Sequence, residues 1–78
     1  SRGPFAGDVV VFTGGLATWT RAEAGQRVAA AGGVVESRLT ARTTLVVAGA
    51  NAGATLIRAR ERGVEVIDEA ELKRRLGP

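Results

Sequence analysis

The 78-residue chain contains no cysteine, histidine, tyrosine or methionine, and its only aromatic residues are Phe5, Phe12 and Trp19. Without cysteine there is no disulfide framework and no thiolate metal site. Without histidine the usual imidazole base and the commonest zinc ligand are missing. Catalysis would rest on carboxylates, hydroxyls and the single lysine, Lys73. That set is too poor for an active site, so no enzymatic activity and no cofactor are expected. No apolar run approaches the ~20 residues of a membrane span, and there is no signal-peptide pattern. A cytoplasmic, nucleoid-associated location is the expectation. The ends, Ser1-Arg2-Gly3-Pro4 without an initiator methionine and Gly77-Pro78, suggest one domain over residues 1–78 excised from a longer protein.

The net charge is +3, and ten of the eleven basic residues are arginine. Arginine presents a planar fork of donors that suits carboxylate or phosphate. High-GC coding also favours Arg, Ala, Gly and Val together, so composition explains much of the bias. A modest positive charge permits nucleic-acid contact without demanding it.

Short apolar runs alternate with helical stretches. Asp8 to Thr13, Val34 to Glu36, Thr44 to Ala48 and Val64 to Ile67 read as strands. The two longer runs are β-branched without polar alternation, which indicates a sheet buried on both faces. Thr20-Arg21-Ala22-Glu23 is a capping-box start for a helix that runs to about Ala31 and stops at Gly32-Gly33. A second helix is expected from about Thr55 to Arg62, with Leu56 and Ala59 inward. A third follows Asp68-Glu69-Ala70-Glu71, with Leu72 and Leu76 one turn apart. The order β-α-β-β-α-β-α predicts an α/β fold with a parallel sheet covered by helices on both faces.

The candidate site is Val9-Val10-Val11-Phe12-Thr13-Gly14-Gly15 together with Arg21. A strand runs into a hydroxyl and two glycines, where backbone amides can approach a ligand closely. Arg21 then opens a helix, where its charge opposes the helix dipole unless an anion is bound. Hydroxyl, amides, guanidinium and helix end together suit a phosphate. The glycine spacing fits neither a dinucleotide fingerprint nor a P-loop. Equally, Thr13-Gly14-Gly15 reads as a tight turn whose hydroxyl satisfies a backbone group. Trp19 either packs onto the first helix or offers a stacking surface. Arg58, Arg60 and Arg62 with Glu61 read as a solvated helix face, and Arg38 and Arg42 extend a basic surface. Glu69 and Glu71 mark a helix start, and no acidic cluster suggests a metal.

From Phe5 to Leu76 the chain resembles the BRCT domain family. The resemblance rests on the Val11-Phe12-Thr13-Gly14 turn, the Thr20-Arg21 helix start and the Gly32-Gly33 pair. It rests also on Thr43-Thr44-Leu45-Val46-Val47-Ala48-Gly49 and on Arg62-Gly63-Val64-Glu65-Val66-Ile67-Asp68-Glu69. The flavour is that of the single module of bacterial NAD-dependent DNA ligases, or of DNA polymerase III epsilon-type exonucleases. It implies a four-stranded parallel sheet in order 2-1-3-4, with the first and third helices on one face and the second on the other.

The resemblance implies further that Thr13 and Gly14 contact phosphate, with Gly15 beside them, and that Arg21 supplies the arginine of DNA-end binders. The family's lysine at the second helix falls on Thr55, which brings no charge. A charge-assisted bond contributes about 1.5–3 kcal/mol against ~1 for a neutral one, so the site is expected to be about tenfold weaker. Arg58, one turn later, is the candidate substitute. Where many members carry an aromatic core anchor on the last helix, this chain has Leu72. The expected function is a non-catalytic module that binds DNA at phosphorylated ends or nicks for a repair or replication enzyme. The alternative is a protein-interaction module that docks a repair partner or homodimerises. Neither a membrane nor a small-molecule substrate is expected.

Overall fold

A computed structural model describes residues 3–77. Ser1, Arg2 and Pro78, on which the expectation of an excised fragment partly rests, lie outside the described residues. The elements are β1 (Val9–Thr13), α1 (Arg21–Ala30), β2 (Val34–Glu36), β3 (Leu45–Ala48), α2 (Gly53–Glu61), β4 (Glu65–Ile67) and α3 (Glu69–Leu76). The strands form one sheet in the order β2-β1-β3-β4, and every pairing is parallel. β1 and β3 are the interior strands, in register Val10 to Leu45 and Thr13 to Ala48. Their buried β-branched runs reflect cover from both faces.

That cover is unequal. Phe5, Val10, Phe12, Ala24, Val28, Leu45, Val47, Ile67 and Leu72 form one core cluster, which brings α1 and α3 to the same face. On the opposite face Val11, Val46 and Ala59 form a smaller cluster beneath α2, with Leu39, Val64 and Val66 against it. Leu72 is fully buried, so the smaller anchor is closely enclosed. Full burial of such a side chain contributes about 1.5–3 kcal/mol.

Local chemistry sets the helix starts. Thr20 caps α1, its hydroxyl accepting from the Glu23 amide at 3.0 Å. Glu23 pairs with Arg27 at 3.7 Å, which gives the first helix turn an (i, i+4) ion pair. Asp68 caps α3 by accepting from the Glu71 amide at 2.8 Å. α2 begins at Gly53, two residues before the expected Thr55, and Ala52 at its N-cap offers no side-chain acceptor. Among the described residues no helix is long and apolar enough to cross a membrane.

Candidate phosphate site at the sheet's carboxyl edge

In a parallel α/β sheet, ligands favour the crevice at the carboxyl ends of the strands where the connections diverge to opposite faces. Here that point lies between the ends of β1 and β3, and backbone fills it. Gly15 donates to the Ala50 carbonyl and Ala50 to the Gly15 carbonyl, each at 2.9 Å, as an isolated antiparallel bridge. Gly49 donates to the Thr13 carbonyl at 2.8 Å. The Gly15 amide is therefore already bonded. Gly14 has φ +77°, and a Cβ placed there would lie 2.5 Å from the Ala50 carbonyl oxygen, so this position needs glycine. The Gly14 N–H has no backbone acceptor among the described residues.

Thr13 is buried at the end of β1. Its hydroxyl donates to the Ala52 carbonyl at 2.7 Å, and so ties the N-cap residue of α2 to the sheet. A hydroxyl has one proton, so in this geometry Thr13 offers an incoming anion no donor. Arg21, the first residue of α1, reaches back over the turn, and its Nη2 donates to the Gly14 carbonyl at 3.0 Å. The guanidinium keeps further N–H donors, and Arg21 is exposed. Arg21 also lines a cleft of about 360 Å³ with Phe12, Ala22, Val35, Glu36 and Ser37.

Thr55 and Arg58 do not join that group. Together with Ser37, Arg38 and Leu39 they line a separate cleft of about 450 Å³ between α2 and the β2–β3 connection. Arg42 pairs with Glu36. The residues named from sequence thus divide into Thr13, Gly14, Gly15 and Arg21 around the turn, and Arg38, Thr55 and Arg58 around the second cleft. Ser37 borders both clefts and was not a sequence candidate. Its signal was its place directly after β2, at the carboxyl end of a parallel strand.

Glu69 has a second unforeseen role. One carboxylate oxygen accepts from the Ala17 amide at 2.8 Å, and the other from Thr18 at 3.1 Å and Trp19 at 3.0 Å. Three successive amides form an anion-binding concavity, here filled by the protein's own carboxylate. The Trp19 amide bond, followed by those from Ala17 and Thr18 and the charge of Lys73, holds the Glu69 carboxyl below the usual carboxylate range. Trp19 is half-buried against the larger core cluster. Arg27 stacks 4.6 Å from its ring centroid and Lys73 lies 5.1 Å away. Trp19 therefore packs, as one of its two readings expected.

Among the described residues no group of three or more potential metal-ligating side chains converges. The family model of the BRCA1 C Terminus (BRCT) domain matches residues 1–76. The chain belongs to the BRCT family. It is accordingly a module of the DNA repair or replication type, which binds proteins or phosphate groups.

Proposed function

We propose that this domain is a non-catalytic DNA-binding module that recognises phosphorylated ends or nicks. The reading places it in a bacterial repair or replication enzyme, an NAD-dependent DNA ligase ahead of an exonuclease, and hence at the nucleoid. One observation carries it: Arg21 folds over Gly14 at the start of α1, beside a Gly14 amide with no backbone acceptor among the described residues. An amide, a guanidinium and a helix N-terminus supply donors and positive potential without an added lysine. Thr55 in the lysine position leaves affinity modest and steeply salt-dependent. A protein-interaction role is the second reading, favoured by Val34, Val35 and Ile57, exposed at 52%, 39% and 60%.

The test is a heteronuclear NMR titration with a short duplex that carries a 5′-phosphate, and with the same duplex lacking it. Shifts larger with the phosphate, centred on Gly14, Gly15 and Arg21, are expected. Arg21→Glu should remove the difference and leave the spectrum folded. Equal shifts with both duplexes would overturn the end-binding reading, and no shifts at low salt would move the search to protein partners.

A further inference from the structure

Cations divide sharply across this surface. Arg27, Arg42, Arg74 and Arg75 each have a carboxylate within salt-bridge distance, and Arg21 is bonded to Gly14. Arg38, Arg58, Arg60 and Arg62 have no such partner among the described residues. Two of these four, Arg38 and Arg58, converge on one cleft from different elements, the β2–β3 connection and the middle of α2. Ser37 and Thr55 add hydroxyls, and the half-buried Leu39 completes the wall.

The lining carries no carboxylate. By contrast Glu36 borders both the Arg21 cleft and the shallower one beside it. A carboxylate repels an anion and an unpaired guanidinium attracts one, so the Arg38–Arg58 cleft is the most favourable of the three for phosphate. Two guanidinium forks and two hydroxyls match the several oxygens of a single phosphate group.

From this we infer that Ser37, Arg38, Thr55 and Arg58 form a second phosphate site, which takes an internal phosphodiester of nucleic acid. The inference rests on the DNA-binding reading and deepens it: Arg21 and Gly14 read the terminal phosphate, while this cleft holds the strand's backbone. A phosphodiester requires only charge and hydrogen bonds. A phosphopeptide needs side-chain pockets as well, and Leu39 is the cleft's one apolar wall.

The experiment uses a labelled duplex with 5′-hydroxyl ends, which removes the terminal phosphate. Binding is followed by fluorescence anisotropy between about 50 and 200 mM salt. The Arg38→Gln/Arg58→Gln double variant should bind about tenfold more weakly, the scale of one charge-assisted hydrogen bond. Its salt slope should fall by about one, near 0.9 for the single phosphate no longer neutralised. Arg60→Gln/Arg62→Gln removes the same charge outside the cleft and should change affinity about twofold or less by general electrostatics alone. In the unaltered chain, amide shifts should gather on Ser37, Arg38, Leu39, Thr55 and Arg58, a readout independent of any variant's folding.

Equal losses in the two double variants would overturn the inference in favour of diffuse charge. Unchanged affinity in Arg38→Gln/Arg58→Gln would overturn it and leave the DNA reading standing. Failure of the unaltered chain to bind either duplex would overturn both. Tighter binding of a phosphoserine peptide than of the duplex, with shifts on the same residues, would overturn the assignment to nucleic acid.

Discussion

On one face of the sheet, α1 and α3 bury Ala24, Val28 and Leu72 against Phe5, Phe12 and the strands. On the other, α2 buries Ala59 alone and leaves Ile57 exposed. Charge follows the same division. α3 begins with an acidic cap and ties Arg75 to Glu71 at 2.9 Å and to Glu65 at 2.7 Å. Glu61 is the only acidic residue of α2, and it has no ion pair among the described residues. The face that contributes most burial pairs Arg27, Arg74 and Arg75 with carboxylates of its own, while Arg21 bonds the Gly14 carbonyl and Lys73 lies over Trp19. The thinner face keeps its arginines available. A domain this small has one substantial core, so the face with least burial carries three unpaired arginines on one helix, Arg58, Arg60 and, at its C-cap, Arg62.

The most direct challenge to this division is to truncate one leucine-sized side chain on each face. Leu72→Ala removes a fully buried group from the larger cluster and should lower stability by about 2–5 kcal/mol. Ile57→Ala, at 60% exposure on α2, should stay within about 0.5 kcal/mol. Denaturant unfolding followed by circular dichroism gives both values. Comparable losses would mean that α2 carries core weight its burial does not show.

A smaller effect tests how α2 is held despite its thin packing. Thr13→Val deletes the hydroxyl that donates to the Ala52 carbonyl and leaves that carbonyl without its partner. The expected cost is about 1–3 kcal/mol. Hydrogen exchange should quicken first at the start of α2, since Ala52 supplies no side-chain cap. If the hydroxyl instead serves chiefly as a phosphate donor, Thr13→Val would keep its stability and lose only the preference for a phosphorylated end.

The same bond shows where sequence reasoning reached and where it stopped. The strands were legible because β-branched runs without polar alternation report burial on both faces. α1 and α3 were legible because Thr20 and Asp68 are local start signals. The start of α2 was misplaced by two residues because its anchor is Thr13, 39 residues away, and Ala52-Gly53-Ala54 reads locally as loop. The tight turn at Thr13-Gly14-Gly15 was legible, but the positive φ of Gly14 and the Ala50 carbonyl pressed against it were not. The division of the arginines was not. Arg21 and Arg58 both look free in sequence, and only the fold shows one bonded over the turn and the other facing Arg38 across a cleft. Glu69 read as a helix start, and it is one; its bonds from the three amides of Ala17, Thr18 and Trp19 span about 50 residues and leave no local pattern.

That clamp supplies the smallest effect, and it separates the two ends of the β1–α1 loop. Gly15 is held by backbone bonds to Ala50, which do not titrate over the acid range. Ala17 to Trp19 are held by the Glu69 carboxylate, which does. Because the Trp19, Ala17 and Thr18 amides lower its folded pKa, the unfolded chain binds more protons in acid, and stability rises with pH through that window. The contribution is complete above the unfolded glutamate value of about 4.3 and is lost as pH falls through the lower folded value. Glu65, also lowered through its bond from Arg75, adds a slope of the same sign, so Glu65→Gln is the necessary control. Glu69→Gln and Glu65→Gln should each flatten the acid limb of stability, and the double variant more than either. At neutral pH the Glu69→Gln amide shifts within the β1–α1 loop should be confined to Ala17, Thr18 and Trp19, with Gly14 and Gly15 unmoved. Shifts that spread to Gly14 would show that the carboxylate clamp also positions the phosphate turn, and that the two ends of the loop move as one unit.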